Sequence, residues 1–259
     1  MKLASFRSPS GDRLSGEVRD GRAVAFDDGA TVLDRLASGD RTPAGGADYA
    51  LDEVELLAPH VPRCIFGIGL NYRAHAEEQG AELPEVPIVF MKLPSSVVAP
   101  GAAVHAPEVV KRLDYEGELA VVIGADGDVA GYAVADDLTA RDLQRRERQW
   151  TRAKGFDGSC PWGPWITTAD EVATPGDLAL RTWVNGELRQ DSRTSDLIFS
   201  VPELIAFLRE TCTLVPGDLM LTGTPSGVGV YMDPPRFLGS GDVVRIEIEA
   251  LGTIEHRVA

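Results

Sequence analysis

The sequence predicts an α+β protein in which strands dominate and helices are few. An unbroken apolar run at residues 119–123, ending at Gly124, is typical of a strand that is buried on both faces. The Asn185–Gly186 dipeptide separates two strand-like runs and indicates a hairpin with a type I′ turn. Apolar residues with helical spacing follow Ser200 and predict an amphipathic helix over residues 201–210.

Composition and charge restrict the partners of this protein. Its 259 residues are enough for one large domain, or for a large and a small one. The net charge of −15 and the lack of a basic stripe argue against nucleic acid and anionic membranes, which are bound by clustered Lys and Arg. Three widely spaced cysteines indicate neither a disulfide framework nor a zinc site. With no apolar leader and no long apolar span, we expect a cytoplasmic protein.

The first 58 residues predict a small β-rich module. Turn dipeptides such as Asp20–Gly21 and Asp28–Gly29 separate short apolar pieces, as in a meander, and residues 31–36 have helical character. Two prolines at residues 59 and 62 forbid regular structure and mark a boundary. We therefore expect an N-terminal module over residues 1–58 and a larger catalytic domain over residues 59–259.

Three acids precede the apolar run at residues 119–123. In a strand, Asp114, Glu116 and Glu118 would project from one face, because side chains alternate with period 2. Unpaired carboxylates entering a core strand would be costly unless a positive charge lies between them, and a hard divalent cation is the simplest such charge. The alternative is a solvated outer face, with the acids paired to Lys111 or Arg112.

A histidine and a glutamate follow the strand predicted at residues 63–70. If the chain is helical from Tyr72 onward, His75 and Glu78 lie at i and i+3 and can form a hydrogen bond. A carboxylate on one imidazole nitrogen fixes the tautomer and leaves the other nitrogen free as a general base. The alternative is a solvated histidine in the first turn of a surface helix.

Two further positions have both a structural and a chemical interpretation. Lys92 ends a strand predicted at residues 87–92, and it could face the acids or protect a sheet edge. Asp136 and Asp137 precede a helix predicted to continue through residue 150, where they could cap that helix. Alternatively, one of them is a third oxygen ligand.

Two loops have the composition of binding loops. Residues 151–161 form a glycine-broken polar loop in which Lys154 and Arg152 are the cations. Residues 221–229 are rich in glycine, and the backbone N–H groups of such a turn can bind an anion, better a carboxylate than a nucleotide phosphate. A plain multi-glycine turn is the alternative.

Taken together, six separated motifs resemble the fumarylacetoacetate hydrolase family over about residues 60–259. They are N-Y-x-x-H-x-x-E at residues 71–78, F-x-K at 90–92, L-D-Y-E-x-E-L-A-V-V-I-G at 113–124, D-D-L-T-A-R-D-L-Q at 136–144, K-G-F-D-x-S-C-P at 154–161 and T-G-T-P-S-G-V-G at 222–229. The resemblance implies a mixed β-sheet roll with flanking helices, a homodimer, and a Mg²⁺ or Mn²⁺ ion in an open cleft.

The resemblance also assigns roles to individual residues. It implies that Glu116, Glu118 and Asp137 bind the metal, that His75 with Glu78 activates water, and that Asp114 has no direct role. The remaining assignments are Lys154 as a catalytic cation and, for substrate binding, Arg141, Gln144, Thr224, Gly223 and Lys92.

The implied function is that of a metal-dependent enzyme acting on a small 2-oxo or 2,4-dioxo acid through an enolate. Ile68 stands where longer family members carry a fourth acidic ligand, so the chain resembles the shorter, three-ligand branch. Within that branch we expect hydrolytic C–C cleavage of an acylpyruvate-like substrate. The alternatives are an isomerase or decarboxylase of aromatic ring-cleavage products, an oxaloacetate decarboxylase, or a non-catalytic binding module. A glycosidase is excluded, because acids at i and i+2 cannot flank a sugar bond.

Overall fold

The computed structural model describes residues 1–259, and they form two large sheets, one small sheet and five helices. The strands are β1 (Lys2–Arg7), β2 (Arg13–Arg19), β3 (Arg22–Ala25), β4 (Asp48–Ala50), β5 (Glu55–Leu57), β6 (Ile65–Gly69), β7 (Ile88–Lys92), β8 (Val97–Val98), β9 (Ala103–Val104), β10 (Leu113–Asp114), β11 (Gly117–Ile123), β12 (Val129–Asp136), β13 (Thr139–Ala140), β14 (Cys160–Thr168), β15 (Ala179–Val184), β16 (Glu187–Arg193), β17 (Leu219–Leu221), β18 (Val243–Ile248) and β19 (Gly252–Val258). The helices are α1 (Val32–Ser38), α2 (Arg73–Gln79), α3 (Arg141–Arg146), α4 (Thr151–Lys154) and α5 (Val201–Arg209).

The main sheet has the order β4-β3-β2-β1-β14-β12-β11-β17-β6-β7. Most neighbours are antiparallel, but β17 and β6 run parallel, so the sheet is mixed. The second sheet has the order β16-β15-β18-β19-β9, and β10 pairs with β13 in the small one. This confirms the predicted α+β class. None of the helices is both long and apolar enough to cross a membrane.

Strand β11 lies between two parts of the core. Its odd residues Leu119, Val121 and Ile123 join the cluster that fills the space toward the second sheet, and its even residues Ala120 and Val122 join the cluster on the opposite face. Burial of both faces explains why the run is continuously apolar rather than alternating. Burial of each Leu, Val or Ile side chain contributes about 1.5–3 kcal/mol. Strand β11 is therefore a rigid support for the residues at its two ends.

The N-terminal strands extend the main sheet. Strand β1 pairs with β14 in the register Lys2 opposite Thr167, and β2, β3 and β4 follow outward. Helix α1 packs its Val32 and Leu36 into the same core cluster as β11. Residues on both sides of position 58 therefore share one sheet, and the proposed division into two domains stays a prediction.

Several local predictions are confirmed. The hairpin of β15 and β16 turns at Asn185 (φ 52°) and Gly186 (φ 79°), as a type I′ turn requires. Helix α5 begins after Ser200, whose side chain and backbone N–H form a capping box with Glu203. Helix α1 is capped in the same way by Thr31.

Several local predictions are wrong. The acids do not share one strand, because Tyr115 and Glu116 lie between β10 and β11. There, the N–H of Glu116 donates to Asp136 Oδ1 (2.8 Å), so a side chain replaces a strand partner. The helix predicted to reach residue 150 stops at Arg146, and α4 occupies part of the segment predicted as a loop. Asp136 ends β12 rather than capping α3.

Candidate active site and metal centre

The predicted site residues meet at a cavity of about 570 Å³. Helices α2 and α3, the end of β6 and the glycine-rich loop before Tyr231 contribute to its wall. Of the predicted residues, its lining includes His75, Glu116, Arg141, Gln144, Lys154 and Thr224. Motifs separated by up to about 150 residues in sequence therefore converge on one concave surface.

Three buried acids form a cluster at this cavity. One carboxylate oxygen from each of Glu116, Glu118 and Asp137 lies within 4.8 Å of the others. Strand pairing explains the convergence: Gly117 stands opposite Asp136 in the register of β11 and β12, and Asp137 N donates to Glu116 O (2.9 Å). Two acids from one strand end thus meet a third from its neighbour.

Two buried lysines hold the acid cluster. Lys154 Nζ lies 2.6 Å from both Glu116 Oε2 and Asp137 Oδ2, so it bridges two of the three acids. Burial lowers the pKa of Lys154, but the charges of Asp137 and Glu116 outweigh burial and raise it. Lys92 Nζ lies 2.6 Å from Asp137 Oδ1 and also donates to the backbone oxygen of Lys154.

Lys92 does not line the cavity, and its side chain is fully buried against Asp137. The structure therefore does not bring this predicted substrate-binding residue to the substrate side. Of the two interpretations from sequence, facing the acids is the one observed, and protecting a sheet edge is not.

The acids differ in how well their charge is compensated. Burial raises the pKa of Glu116, but Lys154 and the guanidinium of Arg141, 2.7 Å from Glu116 Oε1, lower it overall. Glu118 has no cation within salt-bridge distance and accepts only the N–H of Gly223, at 2.7 Å. Burial first, and then repulsion from Asp137 and Glu116, raises the pKa of Glu118 well above its usual value. Glu118 is therefore the one acid of the cluster whose charge is not compensated by a cation within salt-bridge distance.

This donor set fits a hard divalent cation. All three side chains offer carboxylate oxygens, which suit Mg²⁺ or Mn²⁺, and an octahedral ion bound by three acids keeps positions for water and substrate. The under-compensated Glu118 is the carboxylate that gains most from such an ion.

Helix α2 presents His75 to the cavity. Its Nδ1 lies 2.9 Å from Glu78 Oε2, which is the i, i+3 contact expected from sequence. The other oxygen, Glu78 Oε1, accepts the N–H of Gly227 at 2.8 Å, and the Tyr231 ring packs edge-on against the imidazole at 5.9 Å. The histidine is buried rather than solvated, unlike the alternative considered from sequence.

Gln79 contacts the second ring nitrogen, which the sequence analysis did not anticipate. Its Nε2 lies 2.6 Å from His75 Nε2. Residues at i and i+4 of a helix share a face, so the spacing of Gln79 from His75 is the signal that could have identified it.

The glycine-rich loop binds the acids of the protein itself. The N–H of Gly223 donates to Glu118, that of Gly227 to Glu78, and that of Gly229 to Asp114 Oδ1 at 2.8 Å. These donors are therefore not open to a substrate carboxylate, and Gly223 acts on a cluster acid. The loop does bind carboxylates, as its composition suggested, but they belong to the chain.

Asp114 links this loop to the cationic wall of the cavity. Its Oδ2 accepts from Arg141 Nε (2.8 Å) and from the N–H of Val230 (3.1 Å). Arg141 in turn donates to Gln144 Oε1 at 3.0 Å, which orients the amide on the same helix. Burial lowers the pKa of Arg141, but Glu116 and Asp114 raise it, so the guanidinium stays charged. Asp114 thus positions Arg141 rather than joining the acid cluster.

Thr224 lines the cavity, but its hydroxyl is bonded within the protein. It donates to Gly117 O (3.0 Å) and accepts from Gln190 Nε2 (2.8 Å). Gln190 also accepts the N–H of Gly117 at 3.0 Å, so it joins the second sheet to the start of β11. No local pattern around Gln190 marked it as part of the site.

The cavity also has wall residues that the sequence analysis did not select. Trp150 and Tyr231 supply aromatic surface, and Arg112 and Arg145 supply guanidinium groups that have no carboxylate partner within salt-bridge distance. Unpaired cations at a cavity wall attract an anionic ligand. The wall is therefore suited to a small acid with more than one negative charge.

Comparisons with known proteins agree with this architecture. A family profile described as fumarylacetoacetate (FAA) hydrolase C-terminal matches residues 64–259. The oxaloacetate tautomerase YisK of Bacillus subtilis is 46% identical over 230 residues, covering 83% of this chain and 76% of that protein. A human mitochondrial oxaloacetate tautomerase is 40% identical and covers 100% of this chain and 91% of that protein.

Two solved structures are similar over the whole chain. Fumarylacetoacetate hydrolase from the psychrophile Exiguobacterium antarcticum has a TM-score of 0.91 at 34% identity, covering 100% of this chain and 99% of that one. 2-Hydroxyhepta-2,4-diene-1,7-dioate isomerase from Mycobacterium marinum has a TM-score of 0.83 at 35% identity, covering 100% and 98%.

Proposed function

Because the chain belongs to the fumarylacetoacetate hydrolase family, we propose that it catalyses the enol–keto tautomerisation of a small 2-oxo dicarboxylic acid such as oxaloacetate. Relatives named oxaloacetate tautomerases, at 40–46% identity, support the reaction type. The unpaired Arg112 and Arg145 support a substrate with a second carboxylate, which acetylpyruvate lacks.

One observation carries this proposal: His75 is the one histidine among the cavity-lining residues, and Glu78 is bonded to its Nδ1, which leaves Nε2 as the basic nitrogen. Arginines stay protonated, and neighbouring charges raise the pKa of Lys154 and lower that of Glu116. Burial raises the pKa of Tyr231. A tautomerisation needs one proton carrier, whereas hydrolysis also needs an activated water and a proton for the leaving group.

A Mg²⁺ or Mn²⁺ ion held by Glu116, Glu118 and Asp137 would supply a Lewis acid that favours negative charge on the 2-oxo oxygen of the substrate. Lys154 and Lys92 hold two of these acids in place, and Gly223 holds the third. We assign Lys92 and Gly223 to positioning the acids rather than to substrate binding.

The other side chains bind and orient the substrate. Arg141, fixed by Asp114, and Lys154 present positive charge toward its oxygens, with Gln144 beside them as a hydrogen-bonding amide. Thr224 completes the wall near the cluster. His75 then accepts a proton on Nε2 from the enol hydroxyl and returns one to the adjacent carbon, so one O–H bond breaks and one C–H bond forms.

Hydrolytic cleavage of an acylpyruvate is the second candidate. The His75 and Glu78 pair favours it, because a carboxylate-bound imidazole is also an arrangement that activates water. Isomerisation of a ring-cleavage dioate and decarboxylation of oxaloacetate would use the same acids and cations. A homodimer and a cytoplasmic location stay predictions from sequence.

Product analysis separates these reactions. We expect the Mg²⁺-loaded protein to accelerate the loss of the ultraviolet absorbance of enol oxaloacetate without releasing pyruvate, and EDTA to abolish the effect. Proton NMR of the same sample reports pyruvate from decarboxylation, and a parallel sample with acetylpyruvate reports acetate and pyruvate from hydrolysis. Acetate formation without acceleration of enol loss would replace the proposal with the hydrolase.

A further inference from the structure

We propose that Gln79 is a positioning residue that holds the Nε2 lone pair of His75 in the cavity, and thereby favours proton transfer with substrate over activation of water. The inference rests on the proposed function, since it concerns the proton carrier assigned there. Gln79 lies directly after the first of the six sequence motifs and belongs to none of them.

Hydrogen-bond chemistry at the ring determines the tautomer. Glu78 uses one carboxylate oxygen for His75 Nδ1 at 2.9 Å and the other for the N–H of Gly227 at 2.8 Å, so both oxygens act as acceptors. A carboxylate that accepts at Nδ1 requires the proton on Nδ1. The neutral ring then exposes a lone pair on Nε2, and the amide nitrogen of Gln79, 2.6 Å away, is the donor that suits it.

Charged and titratable groups around the ring are compatible with this arrangement. Glu78 belongs to the same helix, Tyr231 packs on the ring edge-on from the loop after β17, and Glu116 lies across the cavity in an ion pair with Lys154. None of these supplies an acceptor that is bonded to His75 Nε2. The amide of Gln79 is the one group hydrogen-bonded to that atom.

In this geometry, a ligand can reach the basic nitrogen of His75 only after it displaces a hydrogen bond. Both ring nitrogens are already bonded, so any molecule that uses Nε2 must first displace the Gln79 amide. A water molecule that displaces the amide gains little, because it exchanges one neutral hydrogen bond for another. A substrate is also bound by Arg141 and Lys154, and this binding energy offsets the cost of displacing the amide from Nε2. Gln79 therefore disfavours both steps, but it disfavours activation of water, which hydrolysis needs, more strongly than proton transfer with the bound substrate, which tautomerisation needs.

The tautomer is measured directly, without any turnover. Protein with ¹⁵N-labelled histidine is examined by two-bond ¹H–¹⁵N correlation NMR at pH 8, and the His75 signals among the four histidines are identified by their loss in His75→Ala. We expect the proton on Nδ1 and an unprotonated Nε2 that is perturbed in Gln79→Leu. A proton on Nε2 in the wild-type protein would overturn the proposal even if every activity assay succeeded.

Three variants test the functional consequence. Gln79→Leu removes the donor and should raise acetylpyruvate hydrolysis relative to oxaloacetate tautomerisation by roughly tenfold, the order of one hydrogen bond in a buried site. Gln79→Glu replaces the donor by an acceptor, so it should keep a proton on Nε2 and lower tautomerisation at least about tenfold at neutral pH. Glu77→Leu, an exposed change on the same helix, is the control and should alter neither rate.

The outcomes separate failure of this inference from failure of the proposed function. An unchanged hydrolysis-to-tautomerisation ratio in a folded Gln79→Leu protein would overturn the role of Gln79. If the wild-type protein accelerates no reaction of a 2-oxo acid, the proposed function fails, and the NMR result still decides how Gln79 holds the ring.

Discussion

Replacing Lys154 by methionine tests whether this amine neutralises the acid cluster. Its side chain is 3% exposed and lies 2.6 Å from both Glu116 Oε2 and Asp137 Oδ2. Hydrogen bonds between charged groups contribute about 1.5–3 kcal/mol each, and Lys154 makes two of them. Removal of one partner of a buried ion pair lowers the free energy of unfolding by about 3–5 kcal/mol. Because Arg141 and Lys92 still neutralise one acid each, we expect the low end, about 3 kcal/mol.

The metal provides the internal comparison for this variant. When EDTA has removed divalent ions, urea unfolding of Lys154→Met should show the full decrease in the free energy of unfolding. In saturating Mg²⁺ the ion restores positive charge between the acids, so the loss should fall below about 1.5 kcal/mol. Lys111→Met, at an exposed lysine without an ion pair, is the control and should be neutral within about 0.5 kcal/mol in both buffers. Equal losses for Lys154→Met with and without Mg²⁺ would show that Lys154 does not neutralise the acids that bind the ion.

Three other variants probe the buried side chains of His60 and Asp114 and the closely packed Gly227. Burial lowers the pKa of His60, whose Nε2 lies 2.7 Å from Gly217 O. The folded protein therefore favours the neutral imidazole, and His60 must gain a proton on acid unfolding. Its contribution to stability is present above pH 6.5 and is lost as the pH falls through the lowered pKa. Urea unfolding of His60→Gln should therefore show a weaker decline between pH 7 and pH 5, and an unchanged slope would contradict this. Asp114→Asn should lower kcat at least tenfold, because it removes the carboxylate that holds Arg141. Metal affinity, measured by calorimetry with Mn²⁺, should stay unchanged. Gly227→Ala should reduce both the melting temperature and activity, since an added methyl group would stand 2.0 Å from a carbonyl oxygen of β16; retention of both would show that the loop adjusts freely.

Local sequence patterns predicted those parts of the fold that local physics determines. The apolar run of β11 reflects burial of both faces, and Asn185–Gly186 adopts the positive φ values that a type I′ turn needs. The extent of α3 was not predictable in this way, because the charged residues after it favour a continued helix. The ring of Trp150 instead packs edge-on against Phe90 at 5.6 Å, a tertiary contact that local propensity does not contain.

For the site, the sequence predicted residue types better than their partners. The spacing of His75 and Glu78 gave their hydrogen bond, because both lie on one helix. Gly227 and Glu78, by contrast, lie 149 residues apart, so the loop's use of its N–H groups on the chain's own acids required the fold. Lys92 reached Asp137 only through the placement of β7, which no local pattern specifies.

The six motifs did identify the family, and the matching profile and relatives confirm it. They did not identify the reaction, because the acids and cations of this site suit several reactions of 2-oxo acids. The distinguishing contacts are those around His75 and along the cavity wall, where Gln79, Arg112 and Arg145 were not selected from sequence.

In the proposed reaction, His75 transfers the proton of an oxaloacetate tautomerisation that the acid cluster supports. The most direct test is stopped-flow measurement of enol oxaloacetate absorbance with Mg²⁺-loaded wild-type protein and His75→Ala, after calorimetry has shown equal Mg²⁺ affinity. We expect the variant to lose at least about a hundredfold in rate, the usual contribution of a general acid–base group. A His75→Ala protein that tautomerises oxaloacetate at the wild-type rate would contradict it.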